Sequence, residues 1–208
     1  LTILSVFLIV ASFLLFLGAP FVMKVLAPGF SVAQQHLAVS MTRVLFLSPL
    51  LLGISGVFNA MLQAHRRFFA SALSAMLYNC GIIGGALLLV PFMGPWGLAW
   101  GVVLGAILHM AIQIPSILSL GFVWKPTLHL QDPTFQEMVR LSVPRMIALG
   151  VAQIELVIAT MLTSGLVPGS MSAFQFGYNI QSFPLGIIGI SFATAVFPTL
   201  AAHVSNGN

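Results

Sequence analysis

An all-α membrane protein with six transmembrane helices is the fold this sequence predicts, on three observations. Of 208 residues, 59% are hydrophobic and 5% charged, against roughly 25% charged in a soluble domain. Mean hydropathy is +1.10. The apolar residues also fall into six runs, each reaching the ~20 residues needed to cross hydrocarbon, and short stretches rich in Pro, Gly and charge divide them.

The same numbers bound function. A net charge of +4 on seven basic groups is too sparse for a nucleic-acid partner. Cys80 is alone, so neither an intrachain disulfide nor a thiolate metal site is expected. No pair of acids, Ser/His pair or metal-ligand spacing appears, so the sequence reads as a non-enzyme with no catalytic residue, metal or cofactor. Leu1 opens directly into an apolar run with no basic leader before it, which predicts a piece of a longer protein.

Helix A is predicted over Leu1–Ala27 and stops at Pro28-Gly29. Helix B covers Val32–Ala64. Its first turns are polar, with Gln34, Gln35, His36 and Arg43, and Pro49 lies inside its apolar part. Interior proline removes an intrahelical bond, so kinks are expected near Pro49, Pro115 and Pro184. Gly53 and Gly56 predict close helix approach. Helix C covers Phe69–Phe92, with Tyr78-Asn79 and then Gly81, Gly84 and Gly85. Helix D runs Trp96–Phe122. His109 reads as a satisfied interior histidine. Gln113 reads as an interhelical hydrogen bonder or a ligand, and as a candidate to fill the carbonyl freed at Pro115. Asp132-Pro133 opens a further helix as N-cap and first-turn proline. Gln136, Glu137 and Arg140 make its start amphipathic, and helix E proper follows from Leu141. Helix F is predicted over Met171–Val204, passing Pro184 and reaching Pro198.

Helix E carries Arg145, Gln153 and Glu155 within an apolar run. Ionisable groups at the centre of a span cost about 2.5–3.5 kcal/mol each on insertion scales and usually face a cavity or the bundle interior. Arg145 either snorkels to headgroups or faces such a cavity. Glu155, ten residues further and thus about 15 Å along the helix, cannot pair with it directly. It is either a hydrogen-bonded acid in helix packing, an ion-coupling site, or a partner for a residue beyond this chain. Gln153, Asn179 and Gln181 are interhelical hydrogen bonders or cavity ligands. Arg43, Arg66 and Arg67 read as orientation anchors, with Arg43 alternatively guarding the outer mouth. The loops after helices B and D carry Arg66, Arg67 and Lys125, with Arg140 close behind, whereas the loops after C and E carry no Lys or Arg. The positive-inside rule then places both termini and those basic loops in the cytoplasm.

Several stretches together resemble the MviN/MurJ family, bacterial lipid II flippases of the multidrug/oligosaccharidyl-lipid/polysaccharide exporter superfamily. They are Ala27-Pro28-Gly29-Phe30, Met41-Thr42-Arg43 with Ser48-Pro49, Tyr78-Asn79 with Gly84-Gly85-Ala86, and Gly97-Leu98-Ala99-Trp100-Gly101. His109 to Pro115, Pro144-Arg145 with Gln153-Ile154, Phe183-Pro184-Leu185-Gly186 and Val196-Phe197-Pro198-Thr199 continue the series in order. The resemblance implies a fourteen-helix transporter of two lobes. Residues 1–122 would be the last four helices of the first lobe, and residues 123–208 the cytoplasmic connection and first two helices of the second, so the six helices here resemble helices three to eight. It further implies a multi-pass protein of the bacterial inner membrane that flips lipid II by alternating access. Its partners would be lipid II, membrane lipids and a coupling cation. A diphosphate headgroup needs cationic and hydrogen-bonding groups inside the membrane. Among the polar residues of the last two helices, Arg145, Gln153, Asn179 and Gln181 are then the substrate-binding candidates and Glu155 the ion-coupling candidate. Many relatives carry Arg in helix eight where this chain has Asn179. Alternatives on the residues alone are an exporter of another polyprenyl-linked glycan or drug, or a non-transporting membrane scaffold. With helices A–D packed as one group and E and F leaning away, Gln153, Glu155, Asn179 and Gln181 are expected to form an exposed polar wall.

Overall fold

The computed structural model describes residues 1–128, 131–184 and 186, and every regular element among them is helical. In order these are α1 (Thr2–Leu26), α2 (Val32–Leu45), α3 (Leu47–Ala64), α4 (Phe68–Gly84), a π-helical turn at Gly85–Leu89, α5 (Val90–Met93), α6 (Trp96–Ala111), α7 (Ile114–Leu118), α8 (Pro133–Ser164) and α9 (Ser170–Pro184). Five stretches among the described residues are long and apolar enough to cross a bilayer: Thr2–Leu26, Val32–Ala64, Phe68–Met93, Trp96–Leu118 and Phe135–Ser164. The chain is a multi-pass, all-α membrane protein. These five are the expected helices A to E. Helix F is present over its first part as α9; its predicted continuation to Val204, with Pro198, lies outside the described residues.

Proline explains most of the breaks. The expected helix B divides at Phe46, three residues before Pro49, and helix D divides at Ile112–Gln113, just before Pro115. In each case proline withholds the N–H that the carbonyl four residues earlier would accept. The same deficit at Pro91 falls within a stretch the sequence reading took as regular helix; a π turn over Gly85–Leu89 precedes it. Pro20 and Pro144 lie inside helices that continue through them. For Pro20 the compensation is visible. The freed Phe16 carbonyl accepts from Arg43 Nε at 3.3 Å, and the guanidinium carbon lies 5.1 Å from the Phe16 ring centroid. Arg43 therefore ties α2 to α1 at the point where α1 lacks a bond of its own.

Capping fixes two helix starts. Ser31 Oγ accepts from the Gln34 N–H, and Gln34 Oε1 accepts from the Ser31 N–H, a reciprocal capping box that begins α2. Asp132 Oδ1 accepts from the Phe135 N–H at 3.2 Å, as its N-cap reading expects. At 32 residues, α8 is about 48 Å long against ~30 Å of hydrocarbon. Its amphipathic first turns therefore have room to project beyond the apolar layer.

Packing is tightest between α4 and α6. Gly81 and Gly85 on one side, and Gly101 and Gly105 on the other, recur every four residues. A Cβ added at Gly81 would fall on the Gly105 backbone, and one at Gly85 on that of Gly101. Small residues let membrane helices approach without a hydrophobic driving force between them. Gly53 faces the Leu8 side chain, whereas Gly56, expected to share that role, has nothing within 4 Å. Beneath the α3–α4 turn, Leu62, Ala70 and Ile117 form a buried apolar cluster, with Phe58 and Phe122 edge to face at 6.0 Å beside it. Helix D ends at Leu118 rather than Phe122, followed by a turn with Gly121 at φ 75°.

Candidate functional site

α8 is held at its two ends and bare between them. Near its start, Asp132 and Phe135 line a cleft with Leu1, Thr2 and Ile3 at the start of α1. At its other end the buried Ser164 Oγ accepts from the Gly29 N–H at 3.2 Å and donates to the Met161 carbonyl. Residues 136–151 and 153–155 are all exposed. That stretch is about 30 Å long at 1.5 Å per residue. Arg145, Gln153 and Glu155 all project from it.

Helical periodicity separates these three. The half-buried face of α8 runs through Leu156, Ala159, Thr160 and Thr163. Thr160 and Thr163 donate to the Leu156 and Ala159 carbonyls at 2.7 Å, so their hydroxyls are satisfied within the helix. Eleven residues before Leu156, Arg145 lies within about 20° of the same face at 100° per residue. Gln153 and Glu155, two apart, lie roughly 200° apart around the helix, one on each flank of that face. They do not share a surface.

α9 packs against α8. Its half-buried side carries Met171, Phe174 and Tyr178, the last two stacked at 6.2 Å. Asn179 and Gln181 are exposed and, again two residues apart, point to different sides. All four residues of the expected polar wall are thus exposed, but as two diverging pairs rather than one continuous surface.

A second polar centre lies inside the α3–α4–α6 packing. Gln113 Nε2 donates to Ser55 Oγ at 3.0 Å, and Ser55 Oγ stands 2.6 Å from His109 Nδ1. His109 Nε2 stands 3.3 Å from Ser74 Oγ, which itself donates to the Ser71 carbonyl. Since the Ser74 hydroxyl proton is committed to that carbonyl, the chain runs consistently only with the proton on His109 Nε2 and Ser55 donating to Nδ1. Ser71 Oγ donates to Asn59 Oδ1, which also accepts from Gln63 Nε2, carrying the chain outward. Ser55, Ser74 and Gln113 are fully buried, and the Tyr78 ring meets His109 edge-on at 6.3 Å. His109 and Gln113 are interior hydrogen bonders, as each was expected to be. Gln113 does not fill the carbonyl freed at Pro115; its amide faces Ser55 and His109, and its Oε1 has no donor among the described residues. The sequence reading missed Ser55 and Ser74. Their signal was position, since polar groups buried on α6 and at the break after it need partners and serine is small enough to sit at a helix contact.

Among the described residues no three metal-ligating side chains gather. Arg67 Nη1 donates to Ser119 Oγ at 2.8 Å, tying the α3–α4 turn to the end of α7, and Arg66 sits in that turn at φ 58°.

The family model described as lipid II flippase MurJ matches residues 1–208. Among similar proteins, the "Lipid II flippase MurJ" of Burkholderia cenocepacia is 28% identical over 196 residues, covering 90% of this chain and 38% of that protein. The "Probable lipid II flippase MurJ" of Haemophilus influenzae is 34% identical over 71% of this chain and 29% of its own length. That of Borreliella burgdorferi is 30% identical over 79% of this chain and 32% of its own. The chain spans about a third of the length of these relatives.

Proposed function

Because the chain belongs to the lipid II flippase MurJ family, matched over residues 1–208, we propose that the protein moves lipid-linked peptidoglycan precursor, lipid II, from the inner to the outer leaflet of the bacterial inner membrane. On this reading residues 1–122 close a first lobe, residues 123–208 begin a second, and alternating access works between them. The whole-chain family match carries the proposal. The exposed stretch of α8 supports it, because three polar side chains in an apolar helix need a polar neighbour that the described residues do not supply.

Within this reading Arg145 meets the diphosphate. A guanidinium offers a planar fork of donors suited to phosphate oxygens, and Arg145 lies in line with the half-buried face of α8. Gln153 and Asn179 or Gln181 bind the glycopeptide headgroup from the flanks. Glu155, on the other flank from Gln153, is the ion-coupling residue, which separates coupling from headgroup binding by half a turn of the helix.

The test is complementation with the complete gene in a bacterium depleted of its own flippase, scored by growth and by exposure of lipid II in the outer leaflet. Restored growth with restored exposure supports the flippase. Growth failure of a well-expressed, membrane-inserted protein would favour an exporter of another polyprenyl-linked glycan or drug, or a non-transporting scaffold.

A further inference from the structure

Arg43 stands at the junction of two grooves. One, of about 510 Å³, lies between α1 and α2 and is lined by Lys24, Gln35, His36 and Arg43 beside Pro20 and Val39. The other, of about 390 Å³, is apolar and runs past Phe13, Phe16, Phe46, Leu47 and Leu50, with Arg43 at its rim. A cationic groove that passes into an apolar one through a shared arginine has the form of an amphiphile with an anionic head.

The charge pattern points the same way. The acids of the chain are Asp132, Glu137 and Glu155, so residues 1–131 hold Lys24, Arg43, Arg66, Arg67 and Lys125 with no carboxylate among them. Arg43 is half-buried and already held: Nε is bound to the Phe16 carbonyl and the guanidinium lies over the Phe16 ring. Its Nη groups make no hydrogen bond among the described residues. The fork is therefore fixed in place with its terminal donors open, as phosphate recognition requires.

We propose that this double groove binds an anionic membrane phospholipid. Its phosphodiester would sit against Arg43 and Lys24, with Gln35 and His36 at the headgroup. One acyl chain would lie along Phe13, Phe46 and Leu50. A phospholipid fits better than a glycan-loaded polyprenyl diphosphate because the groove beside Lys24 and Arg43, about 510 Å³, has room for a phosphodiester and a small headgroup, not for a disaccharide bearing a peptide. The surrounding face of α1 is also exposed and apolar among the described residues, with Phe13 at 61% and Phe21 at 73% exposure. The site is independent of the transport reading.

The test uses the full-length protein in detergent and native mass spectrometry, titrating phosphatidylglycerol and, separately, phosphatidylcholine. One retained phosphatidylglycerol is expected, bound at least tenfold more tightly than phosphatidylcholine. Lys24→Gln should weaken it about tenfold, the usual size of one lost charge-assisted hydrogen bond. Arg43→Gln should weaken it further, but Arg43 also holds α1, so Lys24→Gln, at an exposed position, is the deciding variant. Equal retention of the two lipids overturns the proposal. So does phosphatidylglycerol binding that Lys24→Gln leaves unchanged in a protein with native helicity. Displacement of phosphatidylglycerol by an equal concentration of undecaprenyl phosphate would reassign the groove to a polyprenyl carrier and overturn the phospholipid assignment.

Discussion

His109 on α6 and Gln113 at the break that follows it stand four residues apart, while Gln153 and Glu155 stand two apart on α8. Each pair is polar in an apolar helix of spanning length. The first pair converges on one face, finds Ser55 and Ser74 on α3 and α4, and is buried. The second diverges to opposite flanks and stays exposed. Spacing decides whether polar groups in a membrane helix are built into packing or kept for something else, and composition alone does not distinguish the cases. The α1–α7 region is thus a packed scaffold, while α8 offers polar groups that the described residues leave unused.

The largest effect that would test this contrast lies in the glycine seam. Gly85→Val puts branched carbon onto the Gly101 backbone, which cannot yield as a side chain would. A loss of about 3 kcal/mol, at the upper end of overpacking costs, is expected. It would be read as a lower melting temperature and less folded full-length protein in detergent. Gly84→Val, one residue away with nothing within 4 Å, should change stability by less than about 1 kcal/mol. Equal losses in the two variants would mean that α4 and α6 do not meet along this seam.

Next in size is Ser55→Ala. It leaves the Gln113 amide and His109 Nδ1 without their shared hydroxyl in a dry interior. Burying unsatisfied groups costs about 1–3 kcal/mol in soluble cores and closer to 1 kcal/mol in membranes. The expected outcome is lower thermal stability with flipping per folded molecule unchanged. If flipping falls while stability holds, the buried chain belongs to the transport machinery and the contrast with α8 fails.

How much of this was legible varies with the distance between cause and consequence. Helix extents follow from apolar runs, and the breaks near Pro49 and Pro115 follow from a missing N–H within the same helix. Ser31 and Gln34 spell out a capping box three residues apart, present in the sequence though not read from it. What depends on partners remote in sequence was not legible. Arg43 reads as a membrane anchor until Phe16, 27 residues earlier, is seen to have a carbonyl freed by Pro20. Gly81 and Gly85 read like Gly84 until α6 lies against them. For the candidate site, the residue types on α8 were readable, and so in principle was the divergence of Gln153 from Glu155, since 100° per residue needs no structure. Which flank would face substrate on the proposed reading is not set by that angle.

Changes on α8 should cost little stability. Arg145→Ala removes an exposed side chain and is expected to stay within about 0.5 kcal/mol of the parent. On the proposed reading its effect falls on substrate: weaker retention of lipid II by the purified full-length protein, with any response of flipping to the ion gradient unchanged. A drop in melting temperature comparable with that of Ser55→Ala would show that Arg145 is part of the packing.

Glu155→Gln should be the quietest variant in stability and the most informative in function. Glutamine keeps the size of glutamate and its capacity to hydrogen bond, so an exposed position tolerates it within about 0.5 kcal/mol. What glutamine cannot do is carry a negative charge. A carboxylate in an apolar span is costly unless a cation or an arginine attends it. Ten residues separate it from Arg145, about 15 Å along the helix, so the attending charge must come from elsewhere. If that charge is a coupling ion, the exchange of partners during transport depends on the carboxylate. Glu155→Gln should then insert and fold normally but lose flipping, or lose its response to the ion gradient. The measurement is outer-leaflet exposure of lipid II in cells, with and without a protonophore. Flipping at the parental rate, with the parental response to the protonophore, would assign Glu155 to helix packing. The difference between α8 and the first helices would then be one of exposure rather than of function.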